Sequence, residues 1–173
     1  MMMGDVARKT SALLVGVCVL LFAAAVLFAT PAWADDGYCG WAYLDPDDPG
    51  AGDSSTYTLV IQKQQRKSGR GYIELGRIPN NHNGENLPWS DERYDTFVAK
   101  TKRIIVGSSG GLVSPTSTDF WFSGFSNVES IDLSGLDTKR VTDMSDMFSG
   151  CARLSSLDLS TFDTSNVTDM SGW

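Results

Sequence analysis

Residues 122–147 read FSGFSNVESIDLSGLDTKRVTDMSDM, and residues 148–173 read FSGCARLSSLDLSTFDTSNVTDMSGW. The two stretches align without a gap at a period of 26, with 14 of the 26 positions identical. Self-similarity at such a period is the signature of stacked units, each leaving an apolar face for its neighbour to cover. Val128, Ile131, Leu133 and Leu136 in the first unit, and Leu154, Leu157, Leu159 and Phe162 in the second, share an LxxLxL spacing. That spacing predicts a short strand at Ser130 to Ser134 and another at Ser156 to Ser160. Alternation along a strand sends Ile131 and Leu133 inward and leaves Ser130, Asp132 and Ser134 facing out.

Behind each strand, Val141, Met144, Met147, Phe148 and Cys151 recur at steps of three and four, with Val167, Met170 and Trp173 at the equivalent positions. This predicts a short helical return segment packed on the back of the strand. The same residues read as core packing in preference to a cofactor or metal site, because every unit needs these apolar slots filled. The expected fold class is therefore α+β, a small β-rich N-terminal region leading into a leucine-rich-repeat solenoid with a short strand and a short helical return per repeat.

Working outward, residues 35–121 carry no internal repetition and read as the β-rich region. Thr56 to Gln62 (TYTLVIQ) and Gly71 to Leu75 (GYIEL) alternate as strands, and Lys102 to Val106 (KRIIV) reads as a strand leading into the repeats. Ser90 to Val98 (SDERYDTFV) has an N-cap candidate, early acids, and Tyr94, Phe97 and Val98 on one helical face. Asp45 to Asp53 is turn chemistry; its likeness to a calcium loop fails at Pro49, where a side-chain oxygen ligand is needed, and at Thr56, where a bidentate Glu is. Lys63, Arg66, Lys67 and Arg70 crowd between the first two strands, readable as an anion patch but better as a solvated hairpin loop. The single histidine, His82, lies in the loop NNHNGEN with no nucleophile motif around it, and Gly107 to Gly111 lacks the Lys-Ser/Thr pair of a phosphate loop.

The first 34 residues read as a secretory signal peptide. Arg8 and Lys9 precede an uncharged run that includes ALLVGVCVLLFAAAVLFA from Ala12 to Ala29, and Ala32-Trp33-Ala34 supplies a cleavage site before Asp35. The competing reading is an uncleaved membrane anchor, since the run is long enough to span a bilayer. Export favours disulfides, yet only Cys39 and Cys151 remain after cleavage, too few for a disulfide framework; one bridge between them stays open.

The whole chain has 173 residues and a net charge of -7, with 21 acidic against 14 basic side chains. Such a surface repels a phosphate backbone, which excludes a nucleic-acid partner. The organisation expected is a signal peptide over 1–34, a non-repeated region over 35–121, and repeats over 122–147 and 148–173.

The strings SNVESIDLSGLDT, VTDMSDMFSGC and LSSLDLSTFDTSNVTDMSG resemble the repeat of BspA-like leucine-rich-repeat surface proteins of bacteria. LPWSDERYDTFVAKTKRIIV and the DFWFSGFSN run are similar to the region preceding the repeats in that family. The resemblance implies secreted or wall-attached proteins whose repeats bind macromolecules of host or neighbouring cells, with no catalytic residues and no cofactor. Family members usually carry many repeats, so a chain stopping at Trp173, where the next Phe-Ser-Gly would begin, reads as a truncated member.

The sharpest site expectation is the outward face. Asp132 would lie beside Asp158, flanked by Ser130, Ser134, Ser156 and Ser160. Like charges opposite one another across strands are destabilising, so such a pair calls for hydroxyl hydrogen bonds, a cation or a basic partner. The plainer alternative is that Asp and Ser keep an exposed face soluble. The expected function is thus a binding or adhesion module at the cell surface, touching a membrane only through an uncleaved signal segment. A non-binding structural spacer is the alternative, and a secreted enzyme ranks last because no nucleophile, base or metal motif assembles.

Overall fold

A computed structural model of the chain describes residues 37–47, 55–66, 71–80, 87–107 and 110–173. The expected signal segment, His82 and parts of the loops at 45–53, 62–71 and 107–111 lie outside these residues. Five strands build the sheet: Tyr38–Pro46 (β1), Tyr57–Gln62 (β2), Ile73–Pro79 (β3), Thr101–Val106 (β4) and Ser130–Asp132 (β5). Their order is β3-β1-β2-β4-β5, with β1 antiparallel to both β2 and β3, β2 parallel to β4, and β4 parallel to β5. The sheet is mixed and open.

The strands anticipated at 56–62, 71–75 and 102–106 appear as β2, β3 and β4, with β3 shifted to run on to Pro79. A 3-10 turn at Glu92–Tyr94 runs into the one α-helix among the described residues, the short Asp95–Ala99 (α1), and supplies the parallel connection that two strands on the same sheet require. The Asp91 side chain caps this segment by accepting from the Arg93 backbone N–H at 2.9 Å. The Arg93 guanidinium and that N–H together hold the Asp91 carboxyl down at about 2.

One core joins the sheet to the first repeat. Leu44, Leu59, Ile61, Ile78, Ile104 and Val106 from the sheet pack in the same cluster as Trp121, Phe122, Phe125, Val128, Leu133 and Leu136. Each of these is nearly inaccessible to water. At ~1.5–3 kcal/mol for each large apolar side chain buried, this shared cluster dominates the favourable side of folding. An aromatic column continues it, with ring centroids 6.3 Å apart for Trp89 and Trp121, 5.9 Å for Trp121 and Phe122, 5.8 Å for Phe122 and Phe148, and 5.1 Å for Phe148 and Trp173.

The expected leucine-rich-repeat solenoid does not form; the architecture of the described residues is the five-stranded mixed sheet with one short helix. Of the two predicted repeat strands, only the first exists, as the three-residue edge strand β5 paired to β4, and residues 156–160 form no strand. The predicted helical returns are turns. The reason lies in where the backbone N–H groups donate. In an α-helix each would bond to the carbonyl four residues back. Here Met144 and Asp146 donate instead to the carbonyls of Asp169 and Ser171, at 2.9 and 2.8 Å.

The same arrangement occurs one period earlier. Thr118, Phe120, Phe122 and Gly124 donate to Asp143, Ser145, Met147 and Ser149 over 2.8 to 3.0 Å. The threonines at a spacing of 26 are linked as well, Thr142 donating to Thr116 and Thr168 to Thr142. A left-handed residue also interrupts each turn. Phe120 and Asp146 sit at φ 55° and 51°, and Gly172 takes the equivalent place at 72°. For a residue with a Cβ this conformation costs about 1–2 kcal/mol, and it stops a right-handed helix.

Candidate functional site

The outward face of the repeats is assembled by turn chemistry. β5 lies on the sheet edge because Ile104 pairs with Ile131, and the period-2 pleat then exposes Ser130 and Asp132. Ser134, Ser156, Asp158 and Ser160 are likewise exposed, while Leu133 is buried and Ile131, Leu157 and Leu159 are half-buried. Asp132, Asp158 and Ser134, with Leu133 and Thr161, border one shallow depression of about 220 Å³. The structure therefore brings Asp132, Ser134 and Asp158 to a single depression. Ser130, Ser156 and Ser160 are exposed nearby in the chain without bordering it.

Six of the repeat aspartates have a local task. Asp132 accepts from the Ser134 backbone N–H and Asp158 from that of Ser160, both at 2.9 Å. The identical bond to the N–H two residues on recurs at Asp137, Asp143, Asp163 and Asp169. A short carboxylate folding back on its own backbone mimics a turn, which is why Asp recurs at these positions. The hydroxyl and N–H of Ser160 hold the Asp158 carboxyl below the ordinary carboxylate value, and Ser165 does the same for Asp163. For Asp169 the Ser171 N–H leads and its hydroxyl adds. Asp132 and Asp158, which border the same depression, are thus each held by an amide of their own turn, and the Ser160 hydroxyl adds to this at Asp158.

The structure extends the repeat upstream of Phe122, which the sequence reading missed. Thr116, Ser117 and Trp121 occupy the places of Thr142, Asp143 and Met147, and Ser117, Asp143 and Asp169 are joined by parallel bridges. At Ser117 and Asp119 the turn is kept with its residues exchanged: the Ser117 hydroxyl donates to the Asp119 carboxylate, whereas the Ser145 hydroxyl donates to the Asp143 carboxylate. The available signal was thin, since TSTDFW shares only Thr and Trp with TDMSGW at 168–173.

Other sequence candidates take structural places. Arg66 is held by Asp45 through two hydrogen bonds, one of 2.8 Å, and lies over the rings of Tyr43 and Tyr72. Its charge is therefore engaged within the fold. Cys39 and Cys151 are free thiols, pushed up by burial to about 12 and about 11. Cys151 donates to the Phe122 carbonyl at 3.1 Å, a packing role. The Asn166 side chain donates to the Lys139 carbonyl at 2.7 Å, tying one unit to the turn of the unit before it. Among the described residues no group of three or more His, Cys, Asp or Glu is placed to hold a metal, and no helix is long and apolar enough to cross a membrane.

No curated protein matches the chain, and no solved structure does. Residues 116–173, about a third of the chain, match the model of a family described as "Mycoplasma protein of unknown function, DUF285". That match begins at Thr116, where the stacked turns begin, and it is to this repeat family at large without the narrower BspA-like leucine-rich type.

Proposed function

We propose that the chain is an exported, cell-surface binding module whose repeat face engages a protein or other macromolecule of host or neighbouring cells. The observation that carries the reading is the exposed row of Ser130, Asp132, Ser134, Ser156, Asp158 and Ser160, with Asp132 and Asp158 anchored by their own turns. Side chains held in one orientation before a partner arrives lose less freedom on association. Basic groups on the partner are the complement of such a face. The basic start, apolar run and Ala-Trp-Ala site of residues 1–34 support export, and the likeness of the repeat strings to bacterial surface repeats supports the location.

The test is attachment of the full chain to cells and to extracellular matrix, compared with Asp132→Asn/Asp158→Asn. Asparagine keeps a carbonyl oxygen to accept the Ser134 and Ser160 N–H groups and removes only the charge. Attachment is expected to weaken at least about tenfold and to become less sensitive to salt. Unchanged attachment would remove the acidic face from the reading. Attachment by the native chain no better than by an unrelated exported protein would make it a spacer.

A further inference from the structure

Phe120 is out of keeping with its own position in the repeat. The equivalent places hold Asp146 and Gly172, residue types that accept left-handed backbone, yet here a bulky aromatic adopts φ 55°. Its backbone is pinned there by the N–H bond to Ser145 and by its carbonyl accepting from Ser123, both 3.0 Å. The residue is nevertheless 42% exposed. A strained conformation combined with an exposed apolar ring disfavours folding twice, which directs attention to what the ring borders.

Phe120 lines a groove of about 350 Å³ with Leu87, Trp89, Val98, Phe125 and the hydroxyl-bearing Ser90 and Ser123, and Asp95 is the one charged side chain among the described residues at its wall. The volume is that of a site for a side chain or small ligand. Asp95 is exposed at the start of α1, and among the described residues no basic side chain lines the wall beside it. Trp89 forms a firm base, nearly buried, with its indole N–H donating to the Trp121 carbonyl at 2.8 Å.

We infer that this groove is a second binding site, for a basic side chain presented between apolar residues of a partner polypeptide. An aliphatic stem lies along Val98 and the Phe120 ring, and the terminal cation meets Asp95 and the ring face. The complementarity is of charge, since a wall of apolar and hydroxyl groups with a single carboxylate selects a long cationic side chain over an acidic one. This site is separate from the Asp132 and Asp158 face and does not depend on it.

The experiment is a titration of the full chain with acetyl-Leu-Lys-Leu-amide, followed through the Trp89 indole N–H resonance. The norleucine analogue keeps the stem without the charge, and the glutamate analogue reverses it. The lysine peptide is expected to shift the resonance saturably, with at least about tenfold weaker binding for the other two. Asp95→Asn, at an exposed position, and Phe120→Gly, which suits the left-handed backbone, should each weaken the lysine peptide about tenfold, while Phe120→Tyr should retain it. Equal binding of all three peptides, or native binding by Asp95→Asn, overturns the proposal. Asp132→Asn/Asp158→Asn should bind the peptide as the native chain does, so loss of attachment through the acidic face would leave this site standing.

Discussion

The units at 122–147 and 148–173 share most of their sequence and differ in what surrounds them. Val141, Met144 and Met147 in the first are inaccessible to water, whereas Met170 and Trp173 in the second are 43% and 44% exposed. Leu133 and Leu136 are buried, while their equivalents Leu159 and Phe162 are half-buried. The first unit has β4 on one side and the second unit on the other; the second is covered on one side by the first. One pattern therefore gives a core in one copy and a surface in the next, because burial belongs to neighbours and not to residue type.

The largest expected contrast is at the methionines. Met144→Ala should cost ~2–5 kcal/mol, since it empties a sealed slot, whereas Met170→Ala should change stability by about 0.5 kcal/mol. Urea unfolding of the two variants measures this directly. Equal losses would show that the second unit is covered after all.

A smaller contrast sits at Gly135 and its equivalent Thr161. Gly135 lies against Gly107, and a Cβ on either would overlap the backbone of the other. The approach lets the Gly135 N–H reach the Val106 carbonyl at 3.1 Å and the Gly107 N–H reach Ile61 at 2.7 Å. Gly135→Thr should cost ~1–3 kcal/mol, and the reverse change, Thr161→Gly, no more than about 1 kcal/mol. Thermal melts of both variants compare the two positions. A Gly135→Thr protein as stable as the native one would mean that the join between sheet and repeat is loose.

The smallest effect is electrostatic and falls on the second unit. Asp158, Asp163 and Asp169 have folded-state values below the ordinary 3.8, so each favours the folded state while ionised. That contribution is complete above pH 3.8 and is withdrawn as pH falls through the depressed folded values. Carboxyl resonances of these three should titrate below the ordinary aspartate range, and Asp→Asn at each should flatten the acid limb of the stability profile. Titration at the ordinary value would show that the turn bonds do not persist in solution.

The sheet was unevenly legible. β4 could be read because its apolar residues are contiguous, and the capped segment because Ser90 and Asp91 announce a helix start. β1 escaped because it is central, paired on both edges and buried at Cys39, Gly40, Ala42, Tyr43 and Leu44, so it shows no alternation to detect. The outward face was legible from the pleat, but the role of its aspartates was not. Their bonds to the N–H two residues on are turn geometry that an apolar period does not encode.

The helical returns failed for a related reason. Steps of three and four between Val141, Met144, Met147 and Cys151 describe which side chains face inward, and a helix is only one way to achieve that. The chain achieves it with turns whose N–H groups bond across to the next unit.

The amino-acid order by itself determined the period of 26, the inward set of apolar positions, the turn-forming aspartates and the excess of negative charge, because these follow from local spacing and side-chain chemistry. Tertiary structure alone decided that the repeats close onto an open mixed sheet, that Ser130 to Asp132 pairs where Ser156 to Ser160 does not, and that Phe120 is held strained at a groove. Each of these depends on which backbone groups and apolar faces meet across long stretches of chain, and a hydrogen bond or a buried contact exists only when both partners are present.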